Sequence, residues 1–271
     1  MASRMRFSDL SYRVALYGVG GLAIVFMVAP IFVGLATSFT AGQTLKFPPD
    51  GLSLRWYRAL LDPVQSAPIH TALWNSVRIA FLAVVGALLL AMPAAYGASR
   101  VGPKTAAAVE PLMLAPLVLP TLVYGLAALI TFSGIGLRPS FPLVVVGHVV
   151  VFGPLMYRAC AAIAQRLDPS LVEASTLLGV GPFMTFVRVT LPLMVPGILA
   201  GAFLVMMQSL DNVSVTLFLA DARTSVLPLR MFQMIEESLD VRVAAISGCL
   251  IAIAFAGLFL AQKVLDPRRS T

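Results

Sequence analysis

The chain has 271 residues, of which 59% are hydrophobic and 11% charged, with a mean hydropathy of +0.93 and a formal net charge of +7. So small a charged fraction, against about 25% in ordinary soluble domains, excludes a soluble globular protein of the usual kind. The positive balance could suit nucleic acid or an anionic substrate, but its placement along the chain is better explained by membrane topology.

Six apolar stretches are long enough to cross about 30 Å of hydrocarbon. They run over 14–39, 72–98, 106–132, 142–164, 189–210 and 241–264. The expectation is an all-α integral membrane protein of about six transmembrane helices, forming a single domain over 1–271. The first stretch follows Arg4, Arg6 and Arg13 like a signal peptide, but its apolar run is too long for one, so a retained helix is expected. The 40–70 segment contains Leu-Arg-Trp-Tyr-Arg-Ala-Leu-Leu around Trp56 and Tyr57, a short amphipathic helix at an interface where aromatics collect whether or not a partner docks. Glu110 opens the third span near the membrane surface. His148 sits alone in the fourth span, where bonding to a neighbouring helix is the expectation ahead of a metal. Tyr124, Tyr157 and Trp74 are candidates for a solute path or for simple aromatic packing. Residues 226–238 read as another short helix outside the bilayer. Pro30, Pro93, Pro116, Pro120, Pro154 and Pro196 fall within the spans, where each removes a backbone donor and favours a kink. Gly197 and Gly201 form a small-xxx-small pattern that permits close helix packing. Cys160 and Cys249 lie in apolar surroundings without metal spacing or a disulfide framework.

Lysines and arginines set the orientation. One side of the membrane receives Arg4, Arg6, Arg13, Arg100, Lys104, Arg158, Arg166, Arg188, Lys263, Arg268 and Arg269. The other receives Lys46, Arg55, Arg58, Arg138, Arg223 and Arg230, diluted by Asp50, Asp62, Asp221, Glu236, Glu237 and Asp240. Both termini and the 168–188 loop are therefore expected in the cytoplasm.

That loop carries its own helix signals. Asp168 can cap a helix with Pro169 at its first position, where a missing N–H costs nothing. Leu171, Ala174, Ser175 and Leu178 share one face over about two and a half turns, and Gly179 is placed to end the helix. A short, capped, half-apolar helix outside the bilayer suits docking into a groove. Farther on, Asp211 stands in Met-Met-Gln-Ser-Leu-Asp-Asn-Val-Ser-Val-Thr-Leu-Phe, with Gln208, Ser209 and Asn212 around it. Counting from Pro192 at about 1.5 Å per residue, it lies in the outer half of its helix. There it either meets a cationic or hydrogen-bonding solute, or ends the helix at the interface, solvated or paired with Arg78. The sequence has no Gly-x-x-x-x-Gly-Lys-Ser/Thr loop, no catalytic Ser/His/Asp or Cys/His set and no metal cluster, so an energy source on another polypeptide is expected.

The stretch Glu173-Ala174-Ser175, three residues, Gly179, nine residues, Val189-Thr190-Leu191-Pro192 resembles the EAA loop of ATP-binding-cassette importer permeases. Ser175 stands for the second Ala and Val189 for Ile. The resemblance implies that Glu173, Ala174, Ser175 and Gly179 belong to a coupling helix seated in a cleft of an ATPase subunit. The wider chain resembles the spermidine/putrescine-type branch of these permeases, through Leu54-Arg55-Trp56-Tyr57, Asn75-Ser76, and Ser209 to Phe218 with Leu227-Pro228-Leu229-Arg230. It implies a type I importer in the bacterial inner membrane. Such a complex has an ATPase subunit dimer that binds ATP and magnesium, a second permease that is a different chain, and a periplasmic solute-binding protein. This chain would then carry no cofactor, no enzymatic activity and no nucleic acid. It would form half of a path for a polyamine such as spermidine or putrescine, lined by Asp211, Asn212, Gln208 and Tyr124. An aminoethylphosphonate or amino-acid-derived solute is the alternative within the class, and an ion-gradient-driven secondary transporter the alternative outside it.

Overall fold

A computed structural model describes residues 2–265, and within them the chain is almost wholly helical. In chain order the helices are α1 (Ala2–Ser38), α2 (Arg55–Leu61), α3 (Ala67–Arg100), α4 (Pro103–Val118), α5 (Thr121–Gly134) and α6 (Phe141–Ala164). They continue with α7 (Pro169–Leu177), α8 (Pro182–Thr185), a π turn (Phe186–Thr190), α9 (Leu191–Asp211), α10 (Ser214–Leu219), α11 (Leu227–Ser238) and α12 (Arg242–Leu265). Arg268 and Arg269, two of the orientation signals, lie outside the described residues.

Four described helical stretches are long and apolar enough to cross a membrane, or five with one bent pair, against the six expected. The bent pair is a correction. The third span, expected to be continuous over 106–132, is broken into α4 and α5, which meet at 99°. Pro120 explains the break, because it cannot donate and disfavours helical geometry at Leu119, which is extended at φ −80°, ψ 133°. The sixth expected span is α12, whose 24 residues match the length of α6. The fifth span also starts earlier than expected, since helix runs from Pro182 through the π turn into α9. Pro192 has no amide hydrogen for the Arg188 carbonyl. The register slips by one residue there, and the Leu191 N–H donates to the Phe186 carbonyl.

The chain divides into two compact units. One comprises residues up to Ala67 and from Gln233 onward. In it α12 packs on the C-terminal end of α1 and on α2. The hydroxyls of Ser38 and Tyr57 lie 2.7 Å apart, and Gly248 of α12 sits so close that a Cβ there would strike both. The short interfacial helix expected around Trp56 is α2, held to the preceding loop by the Trp56 indole N–H donating to the Gly42 carbonyl. A cavity of about 560 Å³ lined by Arg55, Trp56, Gln65, Asp240 and Arg242 opens in this unit. Its arginines are engaged, Arg55 with the Ala41 carbonyl and Arg242 with Asp240 and the Gln65 carbonyl.

The other unit spans Pro68–Phe232 and is built on the pairing of α6 with α9. The Gly197 and Gly201 pattern finds its reason here. A Cβ on Gly197 would lie 2.8 Å from the Ala159 carbonyl oxygen, and one on Gly201 3.0 Å from the Cα of Met156. The two helices therefore touch backbone to backbone, as small-residue interfaces allow. Around this contact gather Met156, Tyr157, Cys160, Met194 and Val205, all buried. Tyr157 is thus a core residue, whereas Trp74 of α3 is exposed.

Candidate functional site

Two places in the second unit hold the residues that the sequence singles out. The first is the 168–188 loop. The Asp168 carboxylate accepts the Ser170 N–H at 2.9 Å, and Pro169 occupies the first helical position, the expected cap. Hydrogen bonds from Ser170 hold the Asp168 carboxyl below its ordinary value. At the other end Gly179 adopts φ +78°, its N–H donating to the Thr176 carbonyl and the Val180 N–H to the Ser175 carbonyl. These two bonds close the helix as a Schellman motif, which needs a residue at ease in the left-handed region.

Of Leu171, Ala174, Ser175 and Leu178, the residues that fall on one face of α7, only Ser175 is buried within the chain. Its hydroxyl lies 2.8 Å from that of Thr185 on α8. α7 meets only the first turns of the helix that begins at Pro182, which bury Ser175 and half-bury Val172. Leu171, Ala174 and Leu178 face away from the chain with Glu173, and Leu177 and Phe183 are 88% and 76% exposed. The loop thus presents an apolar surface around one carboxylate. Thr185 was not legible beforehand, although Ser at the second Ala position is the signal that could have found it. A buried serine hydroxyl needs a partner.

The second place is the corner between α9 and α10. α9 stops at Asp211, and the Asn212 side chain accepts the Val215 N–H at 2.8 Å, capping α10. α10 packs against α5 and α6, where Gly125 and Gly147 leave room for Phe218 and Leu219. The fully buried His148 of α6 ties the corner together. Its Nδ1 is 2.7 Å from the Ser209 hydroxyl on α9, and its Nε2 3.1 Å from the Thr216 hydroxyl on α10. Ser209 was expected beside Asp211 but is turned toward His148, on the buried side of α9. Asp211 and Gln208 are exposed and Asn212 is half-buried. Among the described residues no ion pair includes Asp211. Arg78 stacks on Phe141 instead, its guanidinium carbon 5.1 Å from the ring centre. Tyr124 is half-buried on α5, whose next residue, Gly125, touches α10.

The depth of the corner follows from the contacts. His148 is seven residues into α6, about 10 Å from its first residue. Ser209 stands at the level of His148, so Asp211, two residues on, lies about 3 Å farther along. α10 then climbs to the start of α6, where the Ser140 N–H donates to the Leu219 carbonyl. Asp211 therefore sits inside the end of α6 rather than level with it. Asn75 and Ser76 of α3 pin the segment that follows, the Asn75 amide donating to the Ser225 carbonyl and the Ser76 hydroxyl accepting the Leu227 N–H.

Residues 83–271 match the family model described as binding-protein-dependent transport system inner membrane component. The chain belongs to that family. It is a multi-pass inner-membrane transport component and not an enzyme. Similar curated proteins include the spermidine/putrescine permease PotC of Haemophilus influenzae, 26% identical over 88% of this chain and 91% of that protein. The putrescine permease PotI of Escherichia coli is 26% identical over 92% and 93%, and PotB of the same organism 28% identical over 70% and 74%. Among solved structures, a bacterial ABC transporter importing alginate aligns with a TM-score of 0.71 at 16% identity, over 96% of this chain and 98% of that one. The same kind of transporter in complex with an alginate-bound periplasmic protein aligns at 0.70. At this identity the structural likeness speaks to the fold alone. The expected ATP-binding-cassette permease fold is thereby established for this transport component.

Proposed function

We propose that this chain is one of two permease subunits of an importer for a polyamine such as putrescine or spermidine, with both termini in the cytoplasm. An ATPase dimer that binds ATP and magnesium docks on α7 and α8, a second, different permease completes the path, and a periplasmic binding protein delivers the solute. The observation that carries the reading is α7 itself, a helix closed at both ends by its own side chain and backbone yet exposing Leu171, Leu177, Leu178 and Glu173. Exposed apolar surface of this kind on a closed helix marks a protein interface. The polyamine assignment is supported by the names of the curated relatives and by the Asp211 carboxylate beside Gln208. A carboxylate is the natural partner of an ammonium group, and charge-assisted bonds exceed neutral ones.

The test is uptake of labelled putrescine by proteoliposomes holding the complete complex, with ATP inside and the binding protein outside. Asp211→Asn keeps the shape and removes the charge, so uptake should fall about tenfold, the scale of one lost charge-assisted contact. Uptake that continues when the ATPase is inactivated and collapses with an uncoupler would instead place the chain with the secondary transporters. A binding protein that selects aminoethylphosphonate over putrescine would remove the polyamine assignment.

A further inference from the structure

His148 contributes nothing to an apolar core that leucine could not, and an imidazole wholly buried in a spanning helix is costly unless both nitrogens are satisfied. Here both are, by hydroxyls from two other helices. The donors can be ordered. The Thr216 hydroxyl has an acceptor in the Asn212 carbonyl at 3.2 Å, so its lone pair is left for His148 Nε2–H. His148 Nδ1 then accepts from Ser209. The sequence of bonds runs from Ser209 through His148 and Thr216 to the backbone of Asn212, with a single tautomer. Asn212 in turn holds the Val215 N–H, so the same chain of contacts spans the break between α9 and α10.

Such a break is a problem at membrane depth. Lipid cannot satisfy the backbone groups freed where α9 ends, so they must be met from within the protein. Two of those groups are met by side chains at the corner, the Asn212 carbonyl by the Thr216 hydroxyl that also bonds His148, and the Val215 N–H by the Asn212 side chain. Gln208, Asp211 and Asn212 all lie within four residues of Ser209, on the stretch these contacts secure.

We propose that His148 is a positioning residue for transport. Through Ser209 and Thr216 it fixes the α9–α10 corner and thereby the placement of Gln208, Asp211 and Asn212 toward the solute. This rests on reading the corner as part of the path, and the experiment separates the two. Thr216→Val and Ser209→Ala are conservative in volume; Ser209→Ala removes the bond to His148 Nδ1, and Thr216→Val removes both the bond to His148 Nε2 and the one to the Asn212 carbonyl. His148→Leu removes both imidazole bonds, and His148→Gln restores a donor at the position of Nε2. Each is made in the complete transporter with Cys160 and Cys249 replaced by Ala. One set also carries Asp211→Cys, and its reaction rate with a hydrophilic maleimide needs no solute. The other set retains Asp211 and is measured for putrescine KM and maximal uptake.

Thr216→Val and His148→Leu are expected to change the labelling rate at least threefold and to raise KM at least threefold, with maximal uptake within twofold. His148→Gln should lie nearer the parent in both measures. Unchanged labelling and KM in Thr216→Val and Ser209→Ala would overturn the proposal, as would an equal loss in His148→Gln and His148→Leu. A shift in labelling with unchanged KM would leave the corner positioned but off the path, which also overturns it. If the parent transporter takes up no putrescine, the polyamine assignment falls, and KM is measured with the solute its binding protein retains.

Discussion

Gly179 offers the sharpest test of how α7 works. Its φ of +78° lies in the left-handed region, and no atom stands within 4 Å of where a Cβ would be. Substitution there meets no steric neighbour, so the whole effect is backbone strain, about 1–2 kcal/mol for alanine. Asparagine tolerates this conformation better and should cost less. Proline should cost most, since its φ is locked negative and it lacks the N–H that bonds the Thr176 carbonyl. If the ATPase subunit binds α7 in its closed form, it must restore that form in every variant. Affinity for the ATPase should then fall by the strain, about 5- to 30-fold for Gly179→Ala and less for Gly179→Asn. Titrating purified ATPase onto the membrane subunits in nanodiscs measures this directly. Wild-type affinity for Gly179→Ala, or weaker binding by Gly179→Asn than by Gly179→Ala, would refute the reasoning.

The remaining predictions address charge, topology, packing and pH. Glu173→Lys should cut binding-protein-stimulated ATP hydrolysis while the subunit still assembles, and normal stimulation would exclude a docking role for this carboxylate. With Cys160 and Cys249 removed, Ser53→Cys should label with an impermeant reagent in intact cells and Ser170→Cys only after lysis, and the opposite pattern would invert the topology. Gly201→Val should destabilise the detergent-solubilised protein by about 1–3 kcal/mol, because α9 cannot move away from the Met156 backbone without opening its contact with α6. A thermal shift no larger than that of Gly153→Ala, where a Cβ meets open space, would contradict this. The Asp168 cap should be complete above its unfolded pKa, near 3.8, because the carboxyl is depressed in the folded state. The cap is lost as pH falls through the lower folded value, so the protection of the Ser170 amide relative to its intrinsic exchange rate should fall only in acid.

Much of this protein is determined locally and could be read from the chain. Apolar runs longer than the bilayer is thick leave little choice but helices, since lipid offers backbone groups no other partner. Asp168, Pro169 and Gly179 act within a turn of their own position, so both ends of α7 were legible. The small-residue spacing of Gly197 and Gly201 announced a close contact without naming its partner. The tertiary structure decided that the partner is α6, that Ser175 alone points inward to Thr185, and that the apolar face of α7 looks outward. It also turned Ser209 away from Asp211 and placed it on His148, 61 residues away in sequence. The break at Pro120 had a visible cause, but not its 99° angle, because a proline frees a helix to bend and the packing around it chooses how far. Periodicity reports which residues share a face. Which face is covered depends on the size and position of a neighbouring helix, and those come from contacts distant in the sequence.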